Sequence, residues 1–259
     1  MNIAARYDAE MTETRDFLAR TDGERVAVRA IAGAGPTVVW LGGFKSEMAA
    51  TKAQALADWA ASADRSYIRF DYFGHGDSSG RFQDGTVTRW REDALAVIDE
   101  RTEGDLVLVG SSMGGWIACL TALARPERVR ALVLIAPAAD FTETLMAPEI
   151  PPEGRAALAA DGVWLRPSPY GDAYPITQAL LDDGARWSIL GRGPIDIRTP
   201  VRILQGAVDP DVPWRHALAL ADALASDDVI FTLIKDGDHR LSRLQDIARL
   251  IAAAEEVSG

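Results

Sequence analysis

The sequence predicts an α/β fold, in which a mostly parallel central β-sheet is covered by helices on both faces. Short apolar runs alternate with helix-like stretches along most of the 259 residues. Several of these runs are apolar at every position, as expected for strands buried on both faces of a sheet. The chain ends in an amphipathic helical pattern from Leu241 to Ala254. Together with the chain length, these observations predict a single domain spanning residues 1–259.

The first strand candidates are VAVRAI (26–31) and TVVWLGG (37–43). No helix separates them, so we expect the early strands to pair antiparallel at one edge of the sheet. The later strand candidates are short apolar runs: SYIRFD (66–71), DLVLVG (105–110), ALVLIA (131–136), VRILQG (201–206) and VIFTLI (229–234). Helices are predicted after Gly43 and around 88–101, 112–124 and 214–225.

The alternation of strands and helices breaks between residues 138 and 199. This stretch is rich in proline, aliphatic and aromatic residues, and it is too long for a plain loop in a compact domain. The sequence therefore predicts an inserted helical cap over about residues 138–199. Four large side chains of this stretch are candidates for lining an apolar pocket or for packing the cap against the sheet: Met146, Trp164, Tyr170 and Trp187.

The composition excludes several classes of function. The chain carries 27 Lys and Arg against 38 Asp and Glu, for a net charge of −11, so nucleic acid is not an expected partner. No apolar run is long enough for membrane insertion. The acidic N-terminal segment 1–17 lacks an apolar targeting stretch, and Cys119 is the single cysteine. From these features we expect a cytoplasmic protein.

The strongest motif is G-S-S-M-G, which directly follows the strand DLVLVG. Gly110, Ser112 and Gly114 match G-x-S-x-G between a buried strand and a helix, the context in which this motif presents a nucleophilic serine. Ser111 is a rival, but only Ser112 is centred between the glycines. The alternative interpretation is an ordinary glycine-rich turn with a capping serine. We favour Ser112 as a nucleophile.

A nucleophilic serine needs a base, and the chain has three histidines: His75, His216 and His239. His239 follows the strand VIFTLI, at the sheet edge where catalytic groups of parallel sheets gather. We therefore predict His239 as the base, with His75 and His216 as less favoured alternatives. The strand VRILQG leads into Asp209 and Asp211, and either carboxylate is able to orient the imidazole. Asp209 is favoured because it comes first after the strand.

Backbone amides complete the predicted site. The amide of Met113 lies at a helix N-terminus, where a free N–H stabilises an oxyanion. The glycine pair that ends TVVWLGG allows the amide of Phe44 to approach the same carbonyl, although a simple Gly-Gly turn is the alternative. No metal site is predicted.

Six stretches resemble those of a known group: LGGFKSEMAATKAQAL, YIRFDYFGHGDSSG, VGSSMGGWIA, ARPERVRALV, LQGAVDPDVPW and DGDHRLSR. They are similar to the abhydrolase-domain palmitoyl-protein thioesterase and acyl-glucuronide esterase group of the α/β-hydrolase superfamily, and to its bacterial relatives. The resemblance covers nearly the whole chain from about residue 14. It implies an α/β-hydrolase fold and hydrolysis without a cofactor, with nucleophile, acid and base at Ser112, Asp209 and His239 and oxyanion amides at Phe44 and Met113. The cap segment matches less well.

The predicted activity is hydrolysis of carboxylic esters or thioesters through an acyl-enzyme. Expected partners are a small-molecule ester or thioester or, as the resemblance implies, an S-acylated protein. Ser112 argues against dehalogenases and epoxide hydrolases, which carry aspartate as the nucleophile. Carbon–carbon bond hydrolases and aminopeptidases of the same fold retain serine and stay open as alternatives. A hydrolase-like ligand receptor without catalysis is the non-enzymatic alternative.

Overall fold

The computed structural model describes residues 13–168 and 171–259, with no description of the side chains of residues 168, 171 and 172. Ten strands are defined: β1 (Thr14–Ala19), β2 (Arg25–Ile31), β3 (Ala34–Leu41), β4 (Arg65–Phe70), β5 (Leu106–Ser111), β6 (Val129–Ile135), β7 (Val163–Ser168), β8 (Gly171–Thr177), β9 (Val201–Gly206) and β10 (Val229–Ile234). Seven α-helices lie between or after them: α1 (Thr51–Ser62), α2 (Val87–Arg101), α3 (Met113–Ala124), α4 (Pro152–Asp161), α5 (Gln178–Arg186), α6 (Trp214–Ala223) and α7 (Leu244–Ser258).

Eight strands form one sheet in the order β1-β2-β4-β3-β5-β6-β9-β10. Only β2 runs against the others, because it pairs antiparallel with both β1 and β4. The predicted mostly parallel sheet is therefore confirmed. The predicted pairing of the early strands needs correction: β3 does not pair with β2 but lies inside the sheet, parallel to β4 and β5. Its continuous apolar run requires cover on both faces, which an edge position does not provide.

Helices cover both faces of this sheet and bury two apolar clusters. On one face, Trp90 of α2 and Trp116 of α3 are fully buried. On the other face, Leu56 of α1 and Leu250 of α7 pack against the opposite sides of the same strands. The α/β class follows from this alternation, and strand β1, which the sequence analysis missed, extends the sheet at its antiparallel edge. Within the described residues no helix combines the length and apolarity that spanning a membrane requires.

The cap segment, residues 138–199, lies between β6 and β9. It contains a π-helical turn at Thr142–Met146, the helices α4 and α5, and an antiparallel hairpin formed by β7 and β8. The hairpin was not predicted. Proline at positions 167 and 175 disfavours strand assignment from sequence, but a two-stranded hairpin leaves half of its backbone groups unpaired and so tolerates proline.

Candidate active site

The Ser112 side chain lies at the turn between β5 and α3. Ser112 has φ 55° and ψ −120°, a left-handed conformation that costs energy for a residue with a side chain. Its own amide donates to the Ile135 carbonyl, and its carbonyl accepts from the Ala138 amide. A Cβ atom at Gly114 would lie 2.0 Å from the Leu41 carbonyl oxygen. Glycine is therefore required there for the turn to approach the end of β3.

His239 and Asp209 lie on the loops that follow β10 and β9. A Cβ at Gly206 would lie 2.3 Å from the Gly237 carbonyl oxygen, so glycine at this position lets the two loops touch. The His239 Nδ1 is 2.8 Å from Asp209 Oδ2, and its Nε2 is 3.2 Å from Ser112 Oγ. The structure thus brings together the three side chains that the sequence analysis selected, although 127 positions separate Ser112 from His239.

The Asp209 carboxylate is held by the loop that carries it. Its side chain is completely buried. The Oδ1 atom accepts from the amides of Asp211 and Val212, and Oδ2 accepts from the Gln205 side chain at 3.2 Å as well as from His239. Asp211, the alternative acid, is exposed and contributes its backbone amide rather than its carboxylate. Sequence reasoning missed Gln205, for which the available signal was a polar residue in an otherwise apolar buried strand.

The other two histidines lie elsewhere. His75 accepts a hydrogen bond at Nε2 from the Lys45 amide, 3.1 Å away, and its Nδ1 is 3.0 Å from the Phe73 carbonyl oxygen. Burial lowers the pKa of the His75 imidazole to about 4. The Nε2 of His216 is 2.8 Å from the Ala139 carbonyl oxygen, and burial lowers the pKa of its imidazole as well. Neither ring contacts Ser112 among the contacts of the described residues.

Ser112 opens onto a cavity of about 920 Å³, within the size range of small-molecule sites. Its lining includes four apolar side chains, those of Phe141, Leu145, Met146 and Val212. The rest of the lining is mostly polar or charged, and it includes Lys45, Ser46, Thr51, Lys52, Asp211, Asp238, Arg240 and Ser242. A ligand with an apolar portion and a polar portion therefore fits the character of this cavity.

Two residues whose backbone amides lack an acceptor in the described part of the chain line the same cavity as the serine. Phe44 and Met113 both line it, and Gly43 passes so close to the serine that a Cβ there would lie 3.4 Å from the Ser112 Cβ. Among the hydrogen bonds of residues 13–168 and 171–259, neither the Phe44 nor the Met113 amide has an acceptor. Free N–H groups beside a nucleophile are the arrangement that stabilises an oxyanion.

The candidate pocket residues of the cap differ in where they lie relative to the cavity. Met146 lines the cavity. Trp164 instead packs against α4 at Gly154, and the indole N–H of Trp187 donates to the Thr88 hydroxyl at 2.7 Å, outside the cavity lining. Tyr170 lies outside the described residues. Tyr174, which was not selected from the sequence, lines the cavity and has its ring 5.9 Å from the Phe44 ring.

Metal binding offers an alternative use for part of the site. Asp209, Asp211 and His239 each place one ligand atom within 4.8 Å of the others, in reach of a common ion. The Asp209 oxygens, however, are already bonded to two amides, to Gln205 and to His239. Because these donors satisfy the carboxylate, the geometry favours a hydrogen-bonded relay over a metal site.

Comparison with known proteins identifies the class first. A family model described as "Serine aminopeptidase, S33" matches residues 35–167. The chain is also similar to a solved structure titled as a putative hydrolase from Agrobacterium vitis, with 44% identity, a TM-score of 0.90, and coverage of 96% of this chain and 99% of that one. Fold and comparisons together define an α/β-hydrolase.

The chain belongs, within this superfamily, to the family of the ABHD10 palmitoyl-protein thioesterases. The Bos taurus protein of that name, described as mitochondrial, is 37% identical over 93% of this chain and 79% of its own length. The solved structure of the mouse α/β-hydrolase domain-containing protein 10 has 36% identity, a TM-score of 0.85, and coverage of 94% of this chain and 97% of that one. The predicted family is therefore confirmed.

The predicted cytoplasmic location is wrong by the same comparison. All five ABHD10 relatives found, from cattle, orangutan, human, rat and mouse, carry the word mitochondrial in their names. The prediction depended on the composition of the N-terminal segment and on a single cysteine. Residues 1–12 of that segment lie outside the described residues, and cysteine content does not distinguish one reducing compartment from another.

Proposed function

We propose that this hydrolase cleaves carboxylic esters and thioesters through an acyl-enzyme formed on Ser112. The observation that carries the proposal is the hydrogen-bonded series from Asp209 through His239 to Ser112, with distances of 2.8 and 3.2 Å, at the wall of the cavity. Neutral imidazole near a hydroxyl is the arrangement that serine acyl transfer requires.

In the proposed mechanism, His239 Nε2 removes the proton of Ser112 as its oxygen attacks the substrate carbonyl. Asp209 holds the Nδ1 proton of His239 and stabilises the imidazolium that forms. The amides of Phe44 and Met113 donate to the oxyanion, and each such donor typically contributes about 3–4 kcal/mol to transition-state stabilisation. The leaving alcohol or thiol takes the proton from His239, and water then hydrolyses the acyl-enzyme by the same steps.

The lining of the cavity favours the proposal that the substrates carry a long acyl chain. The apolar side chains of the lining, Phe141, Leu145, Met146 and Val212, provide surface for burying methylene groups, each worth about 0.8 kcal/mol when fully buried. The relatives named palmitoyl-protein thioesterases agree with this choice of acyl group. We therefore propose long-chain acyl thioesters, including S-acylated cysteines, as the substrate class.

A fluorophosphonate probe tests the nucleophile directly. Wild-type protein is expected to be labelled at one site, and the Ser112→Ala variant is expected to remain unlabelled while keeping the same thermal unfolding midpoint. Labelling of both proteins to the same extent, or of neither, would overturn the proposed mechanism. Mass spectrometry of the labelled peptide identifies the modified residue and separates Ser112 from Ser111.

A substrate panel tests the chemical class. Turnover of palmitoyl-CoA and of an S-palmitoyl peptide is expected to equal or exceed that of short p-nitrophenyl esters. The family description also names an aminopeptidase, so the panel includes aminoacyl p-nitroanilides. Preference for these amides would establish peptidase activity instead, and activity confined to short esters would indicate a general carboxylesterase.

A further inference from the structure

The loop that carries the Phe44 amide is held by the next loop along the sheet edge. Residues 43–48 follow β3, and residues 71–79 follow β4. The Met48 amide donates to Asp71 Oδ1 at 2.6 Å, and the Lys45 amide donates to His75 Nε2 at 3.1 Å. Side chains of the second loop therefore fix two amides of the first. The Lys45 amide is the one immediately after Phe44.

Lys45 has a backbone conformation that needs such support. Its φ of 58° lies in the left-handed region, which costs of order 1–3 kcal/mol for a residue with a side chain. The peptide that joins Phe44 to Lys45 presents its N–H to His75, whereas the preceding peptide carries the Phe44 N–H, which has no acceptor among the described residues and belongs to a residue that lines the cavity. Because each peptide is planar, fixing the second one restricts the rotation that would turn the first away from Ser112.

His75 is itself rigidly placed. Its side chain is buried, and its ring contacts Tyr72, Phe82 and Trp90 with centroid distances of 5.1–5.9 Å. Phe82 and Trp90 also contact the Phe44 ring, at 4.9 and 5.8 Å. One aromatic cluster thus packs both the imidazole and the residue that supplies the amide.

The hydrogen bonds of His75 define its tautomer. Nε2 receives an amide proton and must therefore carry the lone pair, so the ring proton is on Nδ1 and is donated to the Phe73 carbonyl. Only the neutral ring is able to make both bonds. Burial lowers the pKa of the imidazole to about 4, which keeps the ring neutral at physiological pH.

We propose that His75 is a positioning residue for the oxyanion hole, holding the Phe44 amide toward Ser112 through its hydrogen bond from the Lys45 amide. This inference rests on the proposed function, because it concerns the same acyl-transfer step. His75 does not touch the reacting atoms. It acts only by fixing the peptide next to the donor, so its loss changes transition-state stabilisation more than substrate binding.

Two substitutions separate positioning from packing. A Gln side chain extends to the place of the His Nε2 and is able to accept from the Lys45 amide, whereas an Asn side chain reaches only the place of Nδ1 and the Phe73 carbonyl. We expect His75→Gln to keep kcat within about 3-fold of wild type. We expect His75→Asn to lower kcat by about 10- to 100-fold, less than the 10²- to 10³-fold cost of removing an oxyanion donor, with KM changed by less than about 3-fold.

The same pair of substitutions at His216 provides a matched control. His216 is also partly buried and also bonds a backbone carbonyl, that of Ala139, but it has no contact with the 43–48 loop among the described residues. His216→Gln and His216→Asn are expected to have equal kcat values. Concentrations of folded enzyme are set by the end point of fluorophosphonate labelling, so a partly unfolded variant still gives a true kcat.

A trifluoromethyl ketone, which forms an oxyanion adduct with serine, provides the second measurement. Its Ki is expected to rise in His75→Asn by the same factor as kcat/KM falls, and to stay near the wild-type value in His75→Gln. Equal kcat and Ki values in the two His75 variants would overturn the inference while leaving the proposed function intact. Failure of the wild-type protein to react with the fluorophosphonate would overturn both.

Discussion

The sheet edge that carries Ser112, Asp209 and His239 differs from the cap segment above it in the kind of contact that holds it. At the sheet edge, directional hydrogen bonds fix each group, as in the four bonds accepted by the Asp209 carboxylate. Over the cavity, the cap contributes ring and apolar contacts, such as the 5.9 Å approach of Tyr174 to Phe44.

One buried carboxylate joins the cap to α2, and a second joins the two ends of the cap to each other. Asp183 accepts from the amide and hydroxyl of Thr88 on α2, both at 2.7 Å. Asp140 accepts from the Ser188 hydroxyl and from the amides of Ile189 and Leu190. Buried polar contacts therefore hold the cap at its margins, while the cap residues that line the cavity are both apolar, as Phe141, Leu145 and Met146 are, and charged, as Glu149 and Arg166 are. We infer that activity depends on single hydrogen-bonding atoms at the sheet edge. In the cap, we infer that it depends on the volume of the apolar side chains that line the cavity.

The largest expected effect comes from substitution of Ser112 at the sheet edge. Ser112→Ala removes the oxygen that we propose attacks the substrate, and it is expected to lower kcat by about 10⁵- to 10⁶-fold, measured with the best substrate of the panel. Ser111→Ala, one residue away and buried, is the matched control and is expected to retain most activity. A comparable loss in both variants would mean that distortion of the turn, rather than loss of a nucleophile, explains the result.

Substitutions of the neighbouring Asp209 and Asp211 test whether activity depends on the single carboxylate that contacts His239. Asp209→Asn keeps the shape of the side chain but loses the charge and the acceptor that orient His239, and kcat is expected to fall by about 10⁴-fold. Asp211→Asn is expected to change kcat by less than about 3-fold, since its carboxylate is exposed and does not contact the imidazole. The reverse order of effects in steady-state assays would assign the acid to Asp211.

A cavity-lining residue of the cap tests the role of volume. Met146→Ala is expected to lower kcat/KM for a palmitoyl thioester by about 5- to 10-fold, from loss of about 1–1.5 kcal/mol of apolar contact, and to leave short esters almost unchanged. Leu158→Ala, in α4 and outside the cavity lining, is the control. It is expected to lower the free energy of unfolding by about 2–4 kcal/mol without altering chain-length preference.

The last expected effect concerns the stability of the fold at acid pH rather than activity. The pKa of His75 is lowered by burial to about 4, so between about pH 6.5 and pH 4 the unfolded chain binds a proton that the folded protein does not. The free energy of unfolding is therefore expected to decrease by up to about 3 kcal/mol as pH falls through this window.

Urea unfolding of wild type and His75→Gln at several pH values measures this contribution as a difference. Burial raises the pKa of Asp71 in the same loop, which gives a dependence of opposite sign, but Asp71 is present in both proteins. The variant is expected to lose less stability than wild type below pH 6.5. Parallel curves would mean that His75 titrates alike in the folded and unfolded states.

Most of the sheet was predictable because its strands are continuously apolar and flanked by turns. β5, β6, β9 and β10 lie within two residues of the predicted runs. β1 was missed because its residues Thr14–Ala19 are mostly exposed, and only Leu18 is buried, so hydrophobicity gives little signal there. The β7–β8 hairpin was missed because its prolines contradict strand propensity.

The sequence by itself predicted the α/β class and the family, and it singled out Ser112, Asp209 and His239 as candidate site residues, because buried apolar runs, a glycine-flanked serine and polar residues at strand ends are patterns along the chain. Only the tertiary structure shows which strands pair, that Asp209 rather than Asp211 contacts the imidazole of His239, and that Gln205 bonds Asp209 while His75 bonds the Lys45 amide. These depend on distances between segments far apart in the chain. Local patterns carry no information about such distances, since packing of the whole sheet and its helices sets them.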